Sequence, residues 1–251
     1  MPRIHIDRND ELRLFDDVLA SRRPERILLL EGPSQTGKST LLDEFRKRRG
    51  GHLWALANFK SLKESAIGVL GEWADALGSI AFNQFRAACS QSAAGADVTI
   101  TGNRLIGAQV DIALGPLDES QRQARRALLT EAFFADLRLA RAQAVIVIDT
   151  FEQAAPDVQT WLSGVFLPRA RRTPGVIVVV SGQQVPALDR EFDECCCRRR
   201  LSGLRPEDWN DYARLVGAPL SPEIVVAFHR RFDGIPGEME KTLLMFVEGG
   251  A

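Results

Sequence analysis

The sequence predicts an α/β domain, with a five-stranded, mainly parallel sheet flanked by helices over residues 1–201 and a small helical C-terminal part over residues 202–251. Three observations predict it. Short continuous apolar runs alternate with amphipathic segments of helical length, the pattern of strands buried on both faces under helices. One such run leads into Gly32-Pro33-Ser34-Gln35-Thr36-Gly37-Lys38-Ser39, a full GxxxxGK[ST] match between a strand and a helix. Another, Val145-Ile146-Val147-Ile148, ends in Asp149, an acid where a parallel strand emerges on the ligand side of its sheet.

The elements follow in order. Asp7 to Ala20 reads as a helix, with Leu12, Phe15, Val18 and Leu19 at helical spacing. Arg22-Arg23-Pro24 ends it, and Arg26 to Glu31 is a buried strand. Gly37 to Arg49 is a helix with Leu41, Leu42 and Phe45 on one face, and His52 to Phe59 is the second strand. Ser61 to Leu77 and Phe82 to Ser90 read as helices. Alternation with turn glycines over 97–114 predicts a β-hairpin inserted at the sheet's edge. Gln121 to Ala142 is a long helix, Val145 to Ile148 a strand, Val158 to Phe166 a helix and Val176 to Ser181 a strand. A short fifth strand is expected near 198–201, then helices over Ser202 to Val216, Glu223 to Phe232 and Glu238 to Val247. The strand before Gly32 is expected at the centre, between the strands of Asp149 and Val176.

Composition narrows the function classes. With 45% hydrophobic and 26% charged residues over 251 positions, the chain has the make-up of a packed domain and not of a disordered one. A formal net charge of −1 supplies no global field for nucleic acid or an anionic membrane; the basic clusters at 46–49, 169–172 and 198–200 leave DNA binding as a minor option, with 198–200 reading first as a solvated charge run. The longest apolar run, Val176 to Val180, is too short to span a bilayer, and MPRIHIDRND has no apolar core. A cytoplasmic, membrane-free protein is expected. Cys89, Cys195, Cys196 and Cys197 lack metal-ligand spacing and read as reduced thiols.

The motifs carry phosphate chemistry. In the Walker A loop, glycines let backbone N–H groups turn around phosphate oxygens, and the next helix aims its N-terminus at the same anion. Lys38 is placed to reach the β- and γ-phosphates, and Ser39, followed by Thr40, to offer a hydroxyl to Mg²⁺. Asp149 is the Walker B candidate that completes the magnesium shell. Glu152, three residues on, shares a face with Asp149 if the chain turns helical, and is then placed to polarise an attacking water. These features predict a P-loop NTPase that takes ATP or ADP with Mg²⁺.

Five segments in order, HIDRNDEL at 5–12, GPSQTGKST at 32–40, VIVIDTFEQA at 145–154, VIVVVSGQQ at 176–184, and RRLSGLRPEDWNDY with FDGIPGEM, resemble the nucleotide-binding domain of STAND ATPases (signal-transduction ATPases with numerous domains), relatives of the AAA+ ATPases. The resemblance covers nearly the whole chain except 60–140. It implies that Arg8, in a motif where Asp7 replaces the family's glycine, contacts the nucleotide, and that Pro236 of Gly234-Ile235-Pro236 packs near adenine. It also implies a γ-phosphate sensor after the fourth strand, where this chain has Gln183 in place of an arginine. A glutamine hydrogen-bonds phosphate without adding charge. The partners it implies are effector or sensor domains, or further copies of the chain.

Three functions stay open on the sequence. One is a slow ATPase acting as a nucleotide-dependent switch. The second is a nucleotide-binding interaction module without significant hydrolysis. The third is a small-molecule P-loop kinase, for which no arginine-rich lid or acceptor pocket is visible.

Overall fold

The computed structural model describes residues 8–62, 65–78, 80–92 and 118–248. The hairpin expected at 97–114 and the Asp7 position lie outside the described residues. Five strands form one sheet: β1 (Ile27–Glu31), β2 (Leu53–Asn58), β3 (Ala144–Asp149), β4 (Val176–Gly182) and β5 (Cys196–Arg200). Their order is β2-β3-β4-β1-β5, and every pairing is parallel.

This order corrects one expectation. β1 is not flanked by β3 and β4; β4 is the central strand and separates β1 from β3. Every residue of β3 and β4 is buried, so both need a neighbour on each side. β1 instead ends in a half-buried Glu31, whose Oε2 lies 3.5 Å from both Arg198 and Arg200 of β5. Strand adjacency is set by long crossover connections, which a local apolar run does not encode. The partly exposed β2 and β5 take the edges.

The alternation of each buried strand divides the core. Leu28, Leu30, Val145, Val147, Ile177 and Val179 face α1 (Asn9–Leu19) and α2 (Lys38–Arg48), where Phe15 stacks on Phe45 at 4.1 Å. Ile27, Leu29, Ile146, Ile148, Val178 and Val180 face the other layer. That layer holds α3 (Ala66–Ala76), α4 (Asn83–Ser92), α5 (Glu119–Leu139), α6 (Pro156–Trp161) and α7 (Leu167–Arg171). A π-helical turn, Leu162–Phe166, joins α6 to α7 just before Pro168, which has no N–H to continue the ladder. Caps explain where two helices differ from the expected bounds. Ser65 accepts from the Gly68 N–H and starts α3 late, while an Asp118–Gln121 capping box starts α5 early.

The C-terminal helices α8 (Pro206–Val216), α9 (Pro222–Phe232) and α10 (Pro236–Glu248) each begin at proline, whose fixed φ suits a first helical position. They enclose a separate core of Leu204, Trp209, Tyr212, Val225, Met239 and Leu243. Among the described residues, no helix is long and apolar enough to cross a membrane.

This helical part is tied to the sheet by backbone. Leu201 N–H, just before it, donates to Glu31 O at 2.6 Å, and Gly237 N–H donates to Gln35 O of the loop after β1 at 3.0 Å. Within the helical part, Gly203 lets the segment before α8 pack on the turn at Asp233 and Gly234, because a Cβ there would collide with the Asp233 carbonyl, and Leu204 N–H donates to Gly234 O at 2.9 Å. Gly203→Ala is expected to speed amide exchange across α8–α10 by about tenfold or more, equivalent to ~1.4 kcal/mol. The amides of β3 and β4 keep their protection. Unchanged exchange in α8–α10 would show that the contact is slack.

Candidate functional site

The phosphate-loop motif leaves the C-terminal end of β1. Thr36 is buried, and its Oγ1 donates to Pro33 O at 2.9 Å, closing the loop on itself. Gly37 is the N-cap of α2 in the left-handed region (φ 86°), a conformation glycine takes without steric cost. It has no side chain to cap the helix, so the first-turn N–H groups of α2 are left for another acceptor. That arrangement can take an anion.

Lys38, the first residue of α2, is only 9% exposed. Its Nζ donates to Gly32 O and Pro33 O, both at 2.6 Å. Burial pushes its pKa down, and the charges of Glu152 and Asp149 oppose that shift. Ser39 Oγ donates to Asp149 Oδ2 at 3.4 Å, although the two residues are 110 positions apart. Asp149 is 3% exposed, and burial pushes its pKa up against hydrogen bonds from the Thr150 N–H and the Ser39 hydroxyl. A hydroxyl and a carboxylate side by side are oxygen ligands of the kind that hold Mg²⁺ together with phosphate and water.

After Asp149 the chain does not enter an α-helix. Thr150 takes a left-handed conformation (φ 54°), and Phe151–Gln153 make one 3-10 turn. That turn still brings Glu152 onto the cavity that Asp149 lines. Glu152 Oε2 accepts the Gln183 N–H at 3.0 Å, so Gln183 meets the site through its backbone as well as its side chain.

The cavity measures about 360 Å³ and is lined by Ser34, Gln35, Gly37, Lys38, Ser39, Thr40, Asp149, Glu152, Gln183 and Pro236 from the sequence-selected set. Gly32, Pro33 and Thr36 do not line it; they form the loop behind. Arg8, expected at the nucleotide, stands on the far side of that loop. Its guanidinium donates to Thr36 O at 3.1 Å and Ser202 O at 2.6 Å, bracing the loop against the start of the C-terminal part.

Sequence reasoning missed Asn58, Lys60, Gly237 and Glu240, which also line the cavity. Asn58 Nδ2 donates to Asp149 Oδ2 at 3.2 Å, and Thr150 Oγ1 donates to Asn58 Oδ1 at 3.0 Å. The signal was present: Asn58 ends β2 in register with Asp149, and polar residues at the C-terminal ends of parallel strands face the ligand side. All four cysteines are free, burial pushes Cys196 up to about 12, and the described residues hold no cluster of three or more metal-ligating side chains.

Known proteins agree with this architecture. The AAA ATPase domain family model matches residues 6–180. No curated protein matches the chain. Among solved structures, a Signal Transduction ATPase with Numerous Domains (STAND) protein with a tetratricopeptide repeat sensor from Pyrococcus horikoshii aligns over 93% of this chain at 17% identity and a TM-score of 0.53. The chain spans 29% of that protein's length. Cdc6p from Pyrobaculum aerophilum aligns over 84% of this chain and 50% of its own, at 16% identity and a TM-score of 0.49. The P-loop α/β fold is thus shared with a STAND ATPase, and by the family match over most of its length the chain belongs to the AAA ATPase domain family.

Proposed function

We propose that this domain is a slow ATPase that works as a nucleotide-dependent switch, taking ATP or ADP with Mg²⁺ in the cavity around Lys38. One observation carries the switch reading: the C-terminal helical part touches the phosphate loop directly. Gly237 N–H bonds to Gln35 O at 3.0 Å, and Pro236 lines the same cavity as Gln35 and Gly37. A change in what the loop holds is therefore felt by α10 without an intermediary. The expected readers of that change are effector or sensor domains, or other copies of the chain.

The residues present fit the nucleotide. The uncapped N-terminus of α2 and the Lys38 ammonium bind the phosphates, with Lys38 exchanging two carbonyl acceptors for charged ones. Ser39 and Asp149, 3.4 Å apart, would hold the magnesium. When bound, Mg²⁺ neutralises charge on the phosphates. Glu152 orients the attacking water and accepts its proton, and the Gln183 N–H fixes that carboxylate. Gln183 adds no positive charge at the terminal phosphate, where an arginine is worth about 10³–10⁵ in rate. Turnover is accordingly expected well below the ~10 s⁻¹ median of enzymes.

Isothermal titration with ATP and ADP, with phosphate release followed in parallel, tests the proposal. Tight binding with no turnover favours the binding-module reading, and no binding overturns both. Lys38→Ala is expected to lose about tenfold or more in affinity, since charge-assisted contacts are worth ~1.5–3 kcal/mol each; a change within about twofold would refute the role of Lys38. Glu152→Gln is expected to keep ATP binding while turnover falls by about 10²-fold or more, and an undiminished rate would place the base elsewhere.

The opposite shifts of Lys38 and Asp149 give a pH signature. Asp149 must be ionised to hold Mg²⁺, and its raised pKa means that binding is lost on acidification from above the usual carboxylate range. Lys38 is lowered in the free protein and raised again by a bound anion. Affinity is full below its free-protein pKa and falls as pH rises through it, earlier than for an ordinary lysine. Affinity for Mg·ATP against pH is thus expected to trace a bell narrowed on both sides. Asp149→Asn should remove the acidic limb while weakening binding.

A further inference from the structure

We propose that Lys60 reads the terminal phosphate and so makes the cavity favour a nucleoside triphosphate over a diphosphate. The inference rests on the nucleotide reading above and adds the residue that separates the two ligands. Lys60 lies just beyond the end of β2, on a loop for which neither local pattern nor motif suggested a role.

Three observations carry it. The first is charge. Among the residues lining the cavity, the cations are Lys38 and Lys60, while Asp149, Glu152 and Glu240 are acids. An anion entering a cavity whose lining is net negative depends strongly on each cation it can reach. Lys38 serves the loop end, and Gln183 is neutral.

The second is placement. The Lys60 N–H donates to Asn58 Oδ1 at 2.9 Å and to Thr150 Oγ1 at 3.0 Å. Those two acceptors belong to the network that holds Asp149, through Asn58 Nδ2 to Asp149 Oδ2 and the Thr150 N–H to Asp149 Oδ1. The backbone of Lys60 is therefore pinned at the Asp149 end of the cavity. Pro236 and Gly237 line the cavity from the C-terminal part, where the Gly237 N–H donates to Gln35 O. Asp149 and Ser39 would hold the magnesium that accompanies a nucleotide, so a terminal phosphate beside them would lie on the side where Lys60 is anchored, and ADP has no such group.

The third is exposure of the side chain. The backbone anchor is fixed while the side chain is exposed, so the ammonium on its flexible four-carbon stem is available to an incoming phosphate. An exposed lysine acts through a salt-screened charge, which provides a second readout.

The test titrates the full chain with ATP and with ADP at fixed magnesium, comparing wild type, Lys60→Ala, Lys60→Arg and the control Lys47→Ala on the exposed end of α2. Lys60→Ala is expected to weaken ATP about tenfold and ADP by no more than about twofold. Lys60→Arg keeps the preference, Lys47→Ala leaves both affinities alone, and added salt shrinks the effect of Lys60→Ala. Equal loss for both nucleotides, or no loss for either, overturns the role of Lys60 while the nucleotide site stands. A wild-type chain that binds neither nucleotide overturns the site itself, and this inference with it.

Discussion

The meeting of Ser39 with Asp149, 3.4 Å apart across the end of the sheet, is the constraint on which the site depends. Asp149 ends β3 and Ser39 lies in the first turn of α2, which follows β1, and β4 runs between those two strands. β4 finishes in the small pair Ser181-Gly182, and a Cβ at Gly182 would collide with the Glu152 carboxylate. The apolar uniformity of β3 and β4 has its purpose here. Strands buried on both faces hold their C-terminal ends in fixed register, and the functional residues sit on those ends.

Around that meeting point the charges are held against their own preference. Lys38 and Asp149 are both buried, and burial pushes each toward its neutral form. The protein offsets this partly with backbone carbonyls for the lysine and with N–H and hydroxyl donors for the aspartate. A phosphate for Lys38 and a cation for Asp149 would satisfy both more fully, so on the proposed reading binding would be favoured by what it relieves as well as by what it adds.

Local strain follows the same logic. Thr150 is β-branched yet has φ 54°, a conformation that costs on the order of 1–3 kcal/mol and persists only where neighbours over-determine it. Here Thr150 Oγ1 has Asn58 Oδ1 and Asp149 O as alternative acceptors for its one proton, and itself accepts from the Lys60 N–H. The sharp turn that results sends Glu152 back over the cavity and welds the end of β2 to the end of β3. On the opposite side, Arg8 spends guanidinium donors on Thr36 O and Ser202 O, so the phosphate loop is braced from behind by the segment that leads into α8. The loop lies between two supports, and the C-terminal part belongs to both.

The sequence by itself determined the α/β class, the strand and helix series, and the glycine-lysine-serine loop between β1 and α2. Each depends on local spacing: apolar runs, helical periodicity, and a glycine where the backbone turns left-handed. It also determined that an acid stands at the end of β3, because strand polarity alone places it on the ligand side. The order of the strands, with β4 inside β1, was decided only by the tertiary structure, since adjacency depends on crossovers tens of residues long. The same holds for Arg8 behind the loop and for Asn58 and Lys60 beside Asp149. Their positions are set by which strands pair and by which carbonyls are left wanting donors, interactions between residues far apart in the chain that no local pattern records.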